Sequence, residues 1–115
     1  TGIQKNYAIR NNTGLLLGII GIHLNYPVAD KRSEFGYWLG KPHRRTGLMK
    51  AVLGKLFEIA PTTYGITTLE AYVYHFNTPS MLLLLASGFT KTGQQQTRTR
   101  RDGTTVVALQ FTKQL

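Results

Sequence analysis

Apolar positions along this chain follow two periods. Ile3 to Arg10 and Leu15 to Leu24 read as strands, joined by the turn Asn11-Asn12-Thr13-Gly14 into an antiparallel hairpin. Glu34 to Leu39 reads as a third strand. The period then lengthens: Leu48, Val52, Leu56 and Ile59, flanked by Met49, Leu53, Phe57 and Ala60, recur at helical spacing. This predicts a helix from Gly47 to Ala60 that stops at Pro61, with its apolar stripe in the core. Thr67 to Phe76 is rich in strand formers, Thr78 or Pro79 to Ser87 predicts a short helix, and Phe89 to Arg100 with Thr104 to Phe111 predicts a closing hairpin. The expected fold is α+β (α/β three-layer): a mixed, mostly antiparallel sheet covered by helices, in a single domain over 1–115.

Two segments are apolar on every side. Leu82, Leu83, Leu84 and Leu85 are consecutive, and at about 100° per residue they point in four directions around a helix. A surface helix cannot hide all four. Burying each is worth about 1.5–3 kcal/mol, so the run is expected either to be buried on both sides in a layered fold or, the reading preferred, to dock onto a partner, with a homo-oligomer the simplest form. Leu15, Leu16 and Leu17 give the second strand a similar two-faced character.

Size and composition narrow the chemistry. At 115 residues and 12.9 kDa the chain has room for one core. It has no cysteine, which excludes disulfides, thiolate metal sites and cysteine nucleophiles. His23, His43 and His75 lack a His-x-x-x-His spacing and no metal is expected. No signal peptide is evident, and no apolar run approaches the roughly 18 residues that span a bilayer, so a cytoplasmic protein without a membrane partner is expected. Fourteen Lys+Arg against five Asp+Glu give a formal charge of +9, which attracts polyanions such as coenzyme phosphates. Arg98, Arg100 and Arg101 read as a solvated hairpin tip around the turn Arg101-Asp102-Gly103-Thr104. No aromatic is interleaved with them in sequence, and nucleic acid is not the expected partner.

The stretch Gly36 to Val52, GYWLGKPHRRTGLMKAV, carries the chemistry. It runs from a strand through a basic, glycine-bearing turn into an amphipathic helix. Backbone N–H groups of the first helical turn have no intrahelical acceptor and sit at the positive end of the helix dipole, with Lys41, Arg44 and Arg45 beside them. The arrangement is an anion cradle.

The same residues resemble the acyl-CoA-binding signature of the GNAT superfamily of N-acetyltransferases, Arg/Gln-x-x-Gly-x-Gly/Ala after a strand. Here it reads Arg44, Arg45, Thr46, Gly47, Leu48, Met49. Arg45 and Met49 depart from it by adding bulk where the family has small residues. Leu69 to Phe89 is similar to the family's later strand, its Asn-x-x-Ser corner and a helix ending in Gly-Phe, matched by Asn77, Ser80, Gly88 and Phe89. Ser33 to Gly40, SEFGYWLG, looks like the corresponding strand of acetyltransferases that modify ribosomal-protein amino termini.

The resemblance implies an acyl-CoA N-acyltransferase fold lacking its first strand and first two helices, hence an amino-terminally truncated and engineered or processed domain with Ile3 to Arg10 as an open sheet edge. It implies acetyl-CoA as co-substrate, with pantetheine beside Tyr37, Trp38 and Leu39 and pyrophosphate on the amides of Arg45 to Met49. Asn77 would contact the coenzyme or shape the turn. Glu34 would be the base or a solvent-facing ion-pair partner, and Ser80 would protonate the leaving thiolate or cap its helix. The activity so implied is acetyl-CoA-dependent acetyl transfer to a primary amine of a protein or small molecule, or the coenzyme-binding remnant of such an enzyme. The alternative is an engineered or structural self-assembling protein on this fold without catalysis.

Overall fold

The computed structural model describes residues 2–25, 31–44 and 46–115. Among them six strands form one sheet in the order β1-β2-β3-β4-β6-β5: β1 Gly2–Arg10, β2 Leu16–Asn25, β3 Arg32–Leu39, β4 Thr68–Tyr74, β5 Thr90–Thr99 and β6 Thr105–Gln114. Two helices, α1 Leu48–Tyr64 and α2 Thr78–Ala86, complete the fold. All strand pairs are antiparallel except β3 with β4, which are parallel because α1 carries the chain across between them. The mixed, mostly antiparallel α+β sheet expected from the periodicities is what the structure shows.

Both helices pack on the same face of the sheet. Phe57 of α1 meets Phe89 at 5.9 Å between ring centroids, and Phe89 meets Phe35 of β3 at 5.6 Å. The core between helices and sheet is built from Ile20, Ile22, Leu53, Leu56, Leu69, Leu84 and Phe111, all below a tenth exposed. In-register pairing carries this phase across the strands: Ile20 lies opposite Tyr37 and Ile22 opposite Phe35, pointing inward. The other phase, with Ile19 opposite Trp38, faces away from the helices.

The α1 boundary differs from expectation. Pro61 lies inside the helix, which runs one turn further to Tyr64. A proline deprives only the carbonyl four residues earlier of its N–H. Thr62 supports the same turn by donating its hydroxyl to the Glu58 carbonyl at 2.8 Å. The helix ends instead at Gly65, whose φ of 70° is the left-handed conformation that favours glycine, with Ile66 N–H donating to the Ala60 carbonyl at 3.1 Å.

The leucine run divides. Leu84 is fully buried and Leu83 packs partly against the core, whereas Leu82 and Leu85 are 60% and 50% exposed. At the start of β2 Leu16 is exposed and Leu17 buried, and Leu15, just ahead of the strand, is exposed. No helix among the described residues is long and apolar enough to cross a membrane.

Candidate active site

The parallel ladder between β3 and β4 is short. It joins Arg32, Ser33 and Glu34 to Thr68, Leu69 and Glu70 and then ends, while β3 continues along β2 as far as Leu39 and β4 continues along β6 as far as Tyr74. Past Glu34 the two strands splay, each presenting an unpaired backbone edge to the gap. A cleft of about 600 Å³ fills it, walled by Tyr37, Trp38 and Leu39 on one side, Ala71 to Tyr74 on the other, and the amino-terminal turns of α1 and α2 at its mouth.

The turn into α1 is a short 3₁₀ segment, Lys41–His43, followed by a left-handed Gly47 at φ 81°. A side chain there would meet no protein atom within 4 Å, so space is open over the turn, but any L residue would be strained. The first backbone bond of the helix runs from Ala51 N–H to the Gly47 carbonyl at 3.2 Å. Leu48 N–H is held by the Thr46 hydroxyl at 3.4 Å, and that hydroxyl donates to the His43 carbonyl at 2.9 Å. Among the described residues the N–H groups of Met49 and Lys50 have no backbone acceptor and remain at the positive helix end. An anionic diphosphate fits such a cradle.

Several expected contacts take different roles. Arg44 is exposed and lines the cleft, and its Nε donates to the Leu39 carbonyl at 3.0 Å, anchoring the end of β3. The Leu39 carbonyl thus already accepts one bond, and its side chain is buried where it lines the cleft. Met49 is 4% exposed and packs in the core beneath the cleft, so its bulk does not obstruct the turn. Leu48 is partly buried against the same core. Arg45 lies outside the described residues.

Asn77 caps α2, its Oδ1 accepting from Ser80 N–H at 3.3 Å, and also lines the cleft. The Ser80 hydroxyl hydrogen-bonds the Tyr37 hydroxyl. Burial pushes the Tyr37 phenol above the ordinary tyrosine range, while the bond to Ser80 pulls the other way. Tyr37 thus stays protonated at neutral pH.

Glu34 stands apart from these groups. It projects on the helix-free face, where Oε1 accepts from Arg98 Nη2 at 2.9 Å. Arg98 is no part of a solvated hairpin tip: its guanidinium lies 4.9 Å from the Tyr72 ring centroid. Arg100 covers the rings of Tyr74 and Phe76 at 5.9 and 5.5 Å. The aromatics missing between the arginines in sequence arrive from β4 in space. Tyr72, Tyr74, Lys50 and Arg98 all line the cleft and escaped the sequence reading. The alternating tyrosines of Tyr72-Val73-Tyr74 were the available signal, since period two puts them on one face.

A parallel strand pair that splays around a cleft, with a glycine-opened helix turn at its mouth, organises this α+β domain. The sequence model of the acetyltransferase (GNAT) domain matches residues 2–90, and the chain belongs to that family. It is 32% identical over 95 residues to the uncharacterized N-acetyltransferase YoaA of Bacillus subtilis, covering 83% of this chain and 53% of that protein. It is also 32% identical over 85 residues to the uncharacterized N-acetyltransferase p20 of Bacillus licheniformis, covering 74% and 47%. The chain thus spans about half the length of these curated relatives. The spermidine N-acetyltransferase of Vibrio cholerae, solved in complex with CoA and spermine, superposes with a TM-score of 0.83 at 13% identity over 96% of this chain and 65% of that one, a likeness of fold.

Proposed function

We propose that the chain is an acetyl-CoA-dependent N-acetyltransferase that transfers the acetyl group to a primary amine. The splay of β3 from β4 carries this reading: it leaves an unpaired strand edge beside Tyr37 and Trp38 and leads it to the helix turn after Gly47. A pantetheine arm has amides that pair with a strand edge, and a pyrophosphate takes the free amides of the turn. Tyr37, Trp38 and Leu39 are the pairing segment and Arg45 to Met49 the phosphate turn, with Arg44 beside it and Asn77 as a further coenzyme contact. Bound acetyl-CoA supplies the acetyl group as a thioester.

The residues of this chain would do the rest. An uncharged amine attacks the acetyl carbon, and its proton passes to Glu34 directly or through water. The carbon–sulfur bond breaks and the sulfur takes a proton from Ser80, to which the protonated Tyr37 hydroxyl is bonded. Ser33 to Gly40 supports kinship with the ribosomal-protein branch, a kinship of sequence that leaves the acceptor amine open. Calorimetric titration with CoA tests the donor reading: saturable binding in the range of about 1 μM–1 mM supports it, and no heat at any concentration overturns it.

Association with further copies is favoured by a separate observation, the exposure of Leu82 and Leu85 on α2. A spermidine N-acetyltransferase with the same fold, at 13% identity, is described as dodecameric.

A further inference from the structure

A second cavity of about 220 Å³ opens on the helix-free face and includes Gln4, His23, Glu34, Tyr72 and Arg98 in its lining. It shares Phe35, Gly36, Tyr72 and Arg98 with the main cleft, so the two meet where β3 leaves β4. Its charged groups are half satisfied. Arg98 uses Nη2 for Glu34 Oε1 at 2.9 Å and for Gln96 Oε1 at 3.2 Å. Among the described residues its Nη1 and Nε have no acceptor, although a guanidinium carries five N–H donors. Glu34 Oε2 likewise has no donor among them. The Tyr72 ring beneath the guanidinium fixes its plane.

Nη1 and Nε lie on opposite edges of the guanidinium, but the Gln96 contact is long and exposed, and a ligand that displaces it meets the freed Nη2 hydrogen and its neighbour as a fork of N–H donors, beside a carboxylate whose second oxygen is open. That pair is the electrostatic complement of a molecule bearing a carboxylate and an amine on one carbon: the carboxylate takes the fork, and the amine takes Oε2. Charge argues against a polycation, because Glu34 is already neutralised by Arg98 and Arg100 lies over the neighbouring Tyr74 and Phe76 rings. Volume agrees, since at about 30 Å³ per water the space holds on the order of seven waters, or a small amino acid.

We propose that the acetyl acceptor is a free α-amino acid, its carboxylate on Arg98 and its amine against Glu34, with Arg98 the residue that sets specificity. The proposal rests on the coenzyme reading above. In the step, the amine lone pair forms the amide bond to the acetyl carbon, the carbon–sulfur bond breaks with its electrons going to sulfur, the amine proton passes to Glu34 or water, and the thiolate is protonated to free CoA.

The test is acetylation, and binding followed by ligand-observed NMR, for the standard L-amino acids, their amides and spermidine. An amide keeps the amine of an amino acid and stands for a peptide amino terminus. At least one amino acid is expected to exceed its own amide tenfold in both readouts in the wild type. Arg98→Gln should reduce that ratio to within about twofold of one, and Arg98→Lys, which keeps the charge but loses the fork, should retain only part of it. Circular dichroism checks folding, and the Lys variant carries the test if the Gln variant does not fold. Amides or spermidine matching the acids, no amino acid bound by a wild type that binds CoA, or a preference untouched in both variants would overturn the proposal. Failure of the wild type to bind CoA would instead overturn the coenzyme reading, while the binding ratio would still decide the class of ligand.

Discussion

The Tyr37 hydroxyl on β3 is hydrogen-bonded to the Ser80 hydroxyl on the first turn of α2, and this contact ties the splayed strand to the helix that follows β4. The two residues are 43 apart in sequence and meet at the cleft. Removing either partner leaves the other hydroxyl part-buried and unpaired.

Tyr37→Phe and Ser80→Ala should each lower stability by about 1 kcal/mol, and the double variant should cost less than their sum, because both delete one bond. Urea denaturation of the four proteins checks this; strict additivity would show the bond to be worthless. In acetyl transfer, Ser80→Ala should reduce kcat by about 10²-fold or more if Ser80 is the proton donor. Ultraviolet difference titration should show Tyr7 and Tyr37 ionising above the ordinary value of about 10, and Tyr37→Phe should remove one of the two. Because its folded value is raised, the Tyr37 contribution to stability is whole below about pH 10 and is lost as pH rises through the folded value.

Gly47 tests the cradle with a distinction that its backbone imposes. Its φ of 81° means that Gly47→Val strains the turn as well as occupying the open space, so the valine variant should lose stability along with CoA affinity. Gly47→Asn tolerates the left-handed conformation better and separates the two effects. Weaker CoA binding with a melting temperature near that of the wild type is the expected result for Asn. Unchanged affinity in both variants would remove the phosphate from this turn.

Much of the fold was legible because it rests on local signals. The hairpin turns and the period-two alternation place β1, β2, β5 and β6 within a few residues of their observed bounds. The end of α1 was missed because Pro61 is a strong local stop that the packing of Ala60 and the left-handed Gly65 outweigh. Within the candidate site, the glycine turn and the Asn77-to-Ser80 corner were visible as spaced motifs. The Glu34–Arg98 pair was not, since its members lie 64 residues apart and meet only when β6 inserts between β4 and β5 and Arg98 reaches over Tyr72. Arg98 looked like one of three tip cations, and its place within β5 distinguishes it from Arg101 in the turn beyond the strand.

Asp102 offers a pH test of the closing hairpin. Its Oδ1 accepts from the Thr104 hydroxyl at 2.6 Å and from Thr104 N–H at 2.9 Å. These bonds hold its carboxyl below the ordinary range, with Arg100 adding a smaller pull in the same direction. A depressed folded value means that the contribution is present above about pH 4 and is lost as pH falls through the folded value. The melting temperature of Asp102→Ala should therefore lie below that of the wild type at neutral pH, with the gap closing in acid. A gap that persists at the lowest pH would show that the turn gains nothing from the carboxylate charge.

Leu82 and Leu85 decide the question of assembly. The sheet face of α2 is occupied by Leu83 and Leu84, so the outward pair owes nothing to the internal core and costs the monomer little when replaced. If neighbouring copies cover these two leucines, changing both to Glu places unpaired charge in an apolar contact at a cost of several kcal/mol. The oligomer should then dissociate while circular dichroism remains unchanged. Leu84→Ala is the contrasting variant: fully buried, it should lose about 2–5 kcal/mol of stability whatever the state of association. Sedimentation of the wild type as a monomer, or an oligomer that survives both glutamates, would show that α2 faces solvent with its leucines exposed and that the apolar run serves no interface between copies.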